Sequence, residues 1–268
     1  PWVQPLAMVG SAVYVDSSGE KGVFADPRDA ELAGDNAGIH YMKIARGTYP
    51  NSWNNTTNNW LFEGSGKYVT TITDYNSTAN EPLDADGAWN VWQNMGFRSK
   101  EGGGGGGTSC IDSNGPHNTF QHIYIVECDD RGLYVSASAT DNKLLFVETG
   151  STDGNKFSGA VGADRTMILG NTSWDNVQYY NYSWSQDHVM FIANMYQEGT
   201  QFQHVAFEAN SDRNLAIGNM GLGMPSTGAI VQTSGSEDNV VAANADTNAI
   251  LGYTCGASSK CDGSNESW

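Results

Sequence analysis

The residues best suited to chemistry lie between positions 153 and 198, where Asp153, Asp175 and Glu198 recur beside aromatic side chains. The segment "NTSWDNVQYYNYSWSQ" carries Trp174, Asp175, Tyr179, Tyr180, Tyr182 and Trp184, and Tyr196 closely precedes Glu198. Sugar rings present C–H faces that stack on aromatic rings, while carboxylates accept their hydroxyl hydrogens. Two acids, one protonated and one ionised, are also the working parts of glycosidic hydrolysis. Asp175 and Glu198 are therefore the expected acid/base pair, with Asp153 as a third acid and the six aromatics as the substrate-binding surface. Strand alternation would turn about half of the rings from Tyr179 to Trp184 inward. Two other sets compete. Glu127 and Glu148 form an alternative carboxylate pair, and Asp164, Asp187 and Asp212 could hold calcium, with Arg165 or Arg213 as the base of an elimination.

These acids recur at a regular interval, which points to the elements that must position them. Segments containing Asp141, Asp164, Asp187, Asp212 and Asp238 are spaced by 23, 23, 25 and 26 residues, and each is followed by a short apolar run such as "KLLFVE" or "VMFIAN". The ends of those runs form a second column, Glu127, Glu148, Asn171, Asn194, Asn219 and Asn244. Another strand-like run, for example "GLYVS" or "FQHVAFE", lies between successive units. A unit of about 24 residues cannot bury its own apolar face, whereas stacked copies can. The expected architecture is all-β, a parallel solenoid whose coils stack at the inter-strand distance of about 4.8 Å. An inward Asn at each bend would bond to the Asn above and below. The Asp column, being common to five coils, reads as turn-capping scaffold.

Composition narrows the function. Acids outnumber Lys plus Arg by 30 to 13, a formal net charge of -17, which disfavours nucleic-acid binding. No apolar run approaches the roughly 18 residues of a membrane span, so no membrane insertion is expected. Six N-x-[ST] sequons, at Asn54, Asn55, Asn76, Asn171, Asn181 and Asn265, fit a surface or extracellular chain. Cys255 and Cys261 flank a short polar loop and suit a local disulfide, leaving Cys110 with Cys128; without a CxxC or a nearby His pair, zinc is disfavoured. The glycine run 102–107 lacks the GK[ST] of a phosphate loop and reads as an excursion, residues 101–110, from the coil.

The run "IHYMKIARGTY…LFEGSGKYVTTI" from Ile39 to Ile72, with the later "N[VL]xxxN" coils, resembles the pectate-lyase-like right-handed parallel β-helix superfamily. The resemblance spans roughly residues 10 to 255. It implies a single-stranded right-handed β-helix over 39–255 with coils of about 21–26 residues, a strand and short-helix segment over 1–38, and a tail over 256–268. It further implies a phage tailspike-like depolymerase or secreted glycanase that binds polysaccharide along its side. The alternatives are a receptor-binding adhesin and a calcium-assisted lyase. A tailspike-like member would be a homotrimer on a virion surface, and a secreted one extracellular; no cofactor other than calcium is implied.

Overall fold

The computed structural model describes residues 8–9, 12–17, 23–50, 52–74, 81–99, 109–128, 131–152, 157–159, 164–174, 182–184, 187–197, 205–207, 212–222, 230–232, 238–246, 260–261 and 266–267. They form a right-handed parallel β-helix whose strands fall into three sheets, the first of twelve strands, the second of ten and the third of eight. Apart from one antiparallel pair at Met8–Val9, every pairing between strands is parallel and joins a residue to its counterpart one coil on. Pairing continues into both end segments: Ala12–Val15 pairs with Tyr41–Ile44, and Lys260–Cys261 with Val240–Ala242.

Each strand points alternate side chains into the coil. In the first sheet the inward column runs Met42, Phe62, Trp92, Phe120, Leu144, Ile168, Phe191, Ala216 and Val241, all buried. Its N-terminal end is aromatic. Phe62 stacks on Trp92 with centroids 4.1 Å apart, and Trp53 from the third sheet meets both rings edge-on. The short helix expected within residues 1–38 is present as Pro27–Ala37, begun by Asp26, whose side chain accepts from the Arg28 N–H, and ended by a left-handed Gly38. It covers the N-terminal coils through Glu31, whose carboxylate accepts from Trp53 Nε1 at 2.5 Å and Asn55 Nδ2 at 2.7 Å.

The first sheet is bounded by two corners built alike, each a residue in the left-handed region followed by an inward residue. At the trailing corner the left-handed residues are Phe146, Gly170, Ala193, Gly218 and Ala243. The Asn that follows carries a ladder: Asn171 N–H donates to Asn194 Oδ1 at 2.9 Å, Asn194 to Asn219 at 3.0 Å, and Asn219 to Asn244 at 2.9 Å. Each amide also donates back, as from Asn194 Nδ2 to the Ile168 carbonyl at 3.1 Å. This is the ladder expected from the sequence. A second ladder, not anticipated, lies at the leading corner, where Trp60 donates to Asn90, Asn90 to Asn118 and Asn118 to Asn142. It returns as Val189 to Asn214 and Asn214 to Asn239.

Two readings of the columns are corrected here. Asp141 and Asp238 are left-handed corner residues in register with Arg165, His188 and Arg213, whereas Asp164, Asp187 and Asp212 stand one residue earlier. The acids thus belong to two columns, because Asp suits both a left-handed corner and the capping position before it. Glu127 and Glu148 also do not occupy the Asn ladder. Val147 precedes Asn171 in that column, and its N–H donates to Asn171 Oδ1 at 2.7 Å. Two sequons are likewise structural, since Asn55 and Asn171 are fully buried.

The Cys110–Cys128 disulfide forms as expected, linking a strand of the third sheet to one of the second inside the coil. Cys255 lies outside the described residues, and so does the expected Cys255–Cys261 bridge.

Asn194→Ala removes the acceptor of the buried Asn171 N–H, at about 1–3 kcal/mol, together with the amide's bonds to the Ile168 carbonyl and to Asn219 Oδ1. The urea midpoint of the variant should fall by an amount equivalent to about 2–5 kcal/mol; an unchanged midpoint would show that the ladder is not a source of stability.

Candidate functional site

The outward column of the third sheet runs Asn54, Asp84, Asp112 and Tyr134, with Ser158 and Ser183 continuing the register. Two carboxylates therefore stand on adjacent parallel strands, about 4.8 Å apart at the backbone. Side chains on neighbouring strands at that spacing can reach the roughly 5–5.5 Å carboxyl separation of retaining glycosidases. Asp86 and Asn114 lie at the turns leaving these strands. Asn114 Nδ2 donates to Asp84 Oδ1 at 2.6 Å and to Asp86 Oδ1 at 3.0 Å, tying the acids of one coil to the next.

The turns come close because Gly87 and Gly115 follow. A Cβ on Gly87 would lie 1.8 Å from the Thr57 carbonyl oxygen, and one on Gly115 would lie 2.0 Å from that of Gly87. Successive coils are in backbone contact here, so any side chain would separate them. Stacking the turns in this way crowds the carboxylates.

Crowding sets their protonation. Burial, then the charge of Asp86, pushes Asp84 up to about 6, while Asn114 pulls the other way. Burial also raises Asp112, opposed by a hydrogen bond from Ser109 and by the Arg131 charge, and one of its oxygens, Oδ1, is buried without a hydrogen-bond partner. Glu81, raised by burial and by Asp112, adds a fourth acid beside them. Arg131 lies over the Tyr134 ring, 4.7 Å from its centroid. The face thus offers a carboxyl that holds its proton up to about pH 6, a second carboxyl beside it, and an aromatic ring one coil further on.

The sequence expectations map unevenly onto this face. Asp153, Asp175, Glu198, Tyr179 and Tyr180 lie outside the described residues, in segments joining the second sheet to the third. Trp174 is described, half-buried, with its ring resting on Gly150 of the preceding coil and Nε1 donating to Glu148 at 3.3 Å. Tyr182 and Trp184 are strand residues in register with Leu133 and Val135, both buried. Tyr196 is in register with Ser173, Thr149 and Ile125, which are buried as well.

Glu127 and Glu148, the alternative carboxylate pair, are each engaged by a cation. Glu148 opens a strand opposite Tyr124, where it accepts from Lys67 Nζ at 2.7 Å and Tyr68 Oη at 2.5 Å. Burial works against its charge, but the bonds from Lys67 and Tyr68 prevail and hold it below the usual carboxylate range. Glu127, at a left-handed position one coil earlier, is bound by Arg98.

The proposed calcium ligands are also engaged otherwise. Asp164 Oδ1 accepts from the Asp187 N–H at 3.4 Å, and Asp187 Oδ1 from the Asp212 N–H at 2.7 Å. They cap successive turns instead of converging. Among the described residues no group of three or more His, Cys, Asp or Glu is disposed to hold a metal.

No protein-family model and no curated protein matches this chain. Solved structures do. A pectin methylesterase in complex with a hexasaccharide aligns with a TM-score of 0.54 at 12% identity, over 81% of this chain and 80% of that one. The pectin methylesterase of carrot aligns at 0.59 and 13% identity, over 96% and 90%. The catalytic domain of a GH87 α-1,3-glucanase in complex with tetrasaccharides aligns at 0.70 and 12% identity, covering 92% of this chain and 47% of that one. The chain thus spans about half the length of the glucanase domain. At these identities the likeness establishes the β-helix fold.

The pH dependence follows from the sign of the Asp84 shift. Its folded value, about 6, exceeds the ordinary 3.8, so its contribution to stability is fully present below about pH 4 and is lost as pH rises through about 6. Asp84→Asn should therefore gain on the wild type in urea midpoint between pH 4 and 6.5, with a constant difference above. A difference independent of pH over that range would place the Asp84 value at that of a solvated carboxyl.

Proposed function

We propose that this protein binds an extracellular polysaccharide along the side of the β-helix and cleaves it by glycosidic hydrolysis on the outer face of the third sheet. The observation that carries this reading is the Asp84–Asp112 pair on adjacent strands, with Asp84 raised to about 6. A carboxyl that keeps its proton near neutral pH can protonate a glycosidic oxygen as the C1–O bond breaks. Asp112, from the adjacent coil, serves as the ionised nucleophile that bonds to C1 as the leaving oxygen takes the Asp84 proton; water, giving its proton to the Asp84 carboxylate, then hydrolyses the glycosyl ester and frees Asp112. Tyr134, one coil beyond, offers a stacking surface for a neighbouring sugar.

The neighbours of similar fold include sugar-processing proteins solved with oligosaccharides, which supports a polysaccharide ligand. The buried disulfide supports an oxidising, extracellular place of action. Asp153, Asp175 and Glu198 fall in segments that lead in sequence into the same sheet, so a part for them in catalysis belongs to the proposal.

The test is cleavage of a panel of bacterial and plant polysaccharides, followed by reducing-end release and by absorbance near 235 nm. New reducing ends without unsaturation are expected. Asp84→Asn and Asp112→Asn should each lower kcat by about 10²–10⁴-fold, the usual weight of acid–base catalysis, while retaining glycan binding. If both variants keep full activity and Asp175→Asn or Glu198→Gln abolishes it, the acid pair lies in the joining segments. Unsaturated products would instead make the protein a lyase, and binding without cleavage an adhesin.

A further inference from the structure

The outer face of the second sheet holds a separate cavity of about 200 Å³, lined by Thr71, Thr73, Tyr68, Arg98, Tyr124 and Val126 among others. One glycine shapes the turn that roofs it. The outward column runs Thr48, Thr71, Gly96, Tyr124 and Glu148, so Gly96 leaves a gap between a hydroxyl and a phenol. A Cβ on Gly96 would lie 2.8 Å from the Lys67 carbonyl oxygen; its absence lets the turn containing Lys67 and Tyr68 fold down onto the sheet. Tyr68 is then held over the gap by three contacts. Its hydroxyl donates to Glu148 at 2.5 Å, its ring meets that of Tyr124 at 5.0 Å and 68°, and Lys67 Nζ lies 4.8 Å from its centroid.

Three features define what would fit. Both cations at the rim are neutralised by carboxylates, Lys67 by Glu148 and Arg98 by Glu127, so nothing at the rim selects a phosphate or carboxylate. The walls mix aromatic rings with hydroxyls that can donate or accept. At the base, Thr73 is 1% exposed, and its Oγ1 is a buried hydroxyl without a hydrogen-bond partner. An orphaned buried hydroxyl is costly, and a ligand hydroxyl that reaches it relieves that cost. Each water occupies about 30 Å³, so a cavity of this size replaces roughly six or seven waters with one small polyol.

We propose that this cavity is an accessory sugar site that takes a single neutral pyranose unit. One sugar face packs against Tyr124 and Tyr68, and a hydroxyl bonds to Thr73. The site lies on a different sheet from Asp84 and Asp112, so it would tether a polysaccharide or its product without taking part in cleavage. The choice of a sugar as ligand rests on the polysaccharide reading above; the cavity and its orphaned hydroxyl do not.

The test is NMR titration of the full chain with methyl glucopyranoside and methyl galactopyranoside, following Tyr68 and Tyr124 ring signals. One of these sugars should shift both rings. Thr73→Val, which keeps the shape but loses the hydroxyl, should weaken binding at least five-fold. Thr71→Phe, which fills the cavity, should abolish it, and both variants should leave polysaccharide cleavage per active molecule unchanged. Ring shifts that persist in Asp84→Asn would separate this site from the catalytic reading, whatever becomes of the latter. The proposal is overturned if neither sugar moves the rings, or if both cavity variants bind as well as the wild type.

Discussion

A polypeptide that coils on itself at strand spacing must satisfy every backbone group at every bend, once per coil, with little room for water. The inward asparagines meet this constraint. Each offers an oxygen to the N–H of the preceding coil and an amide to a carbonyl of the strand beside it, as Asn194 does between Asn171 and Ile168. The same geometry explains the left-handed residue before each Asn: that conformation makes the sharp corner, and the ladder offsets its cost. Repeating the device at two corners fixes the first sheet, and the first sheet fixes the register of the other two.

Register, in turn, generates the sites. A solenoid brings residues about one coil apart in sequence to within a strand spacing in space, so chemistry arises wherever one coil departs from its neighbours. On the third sheet the departure is a pair of acids, Asp84 and Asp112, pressed together by turns that lack side chains at Gly87 and Gly115. On the second it is a missing side chain, Gly96, which lets the turn bearing Tyr68 close down on the sheet beside a cavity. The first sheet shows the opposite case. Its outward residues from Met167 to Ala242 are uniformly apolar along two columns and carry no titratable group.

The fold was legible in the sequence because the ladder leaves a repeated residue at the inward corner, Asn171, Asn194, Asn219 and Asn244, even though Val147 shows that an apolar residue also fits that corner. The acids were less legible. Asp fits either of two adjacent corner positions, which blurred two columns into one. Glu148 sits one residue past the ladder, a shift that matters only once strand register is known. Asp84 and Asp112 escaped notice because the N-terminal coils are longer, with 30 residues from Trp60 to Asn90 and 28 from Asn90 to Asn118, against 23 to 25 later. A period matched to the later coils passes over them. The signal was nonetheless present as "LDADG" and "IDSNG", two turns with an acid, a polar residue and a glycine at the same offsets.

Asp84, the proposed proton donor, owes its raised proton affinity first to burial and then to its neighbours, Asp86 above all. The most direct measurement is the pH dependence of polysaccharide cleavage, compared between wild type and Asp86→Asn. A descending alkaline limb near pH 6 is expected for the wild type. Removing the Asp86 charge should move that limb to lower pH. A limb that stays in place when Asp86 is neutralised, or a rate that does not fall above pH 6, would contradict the assignment of Asp84 as the acid.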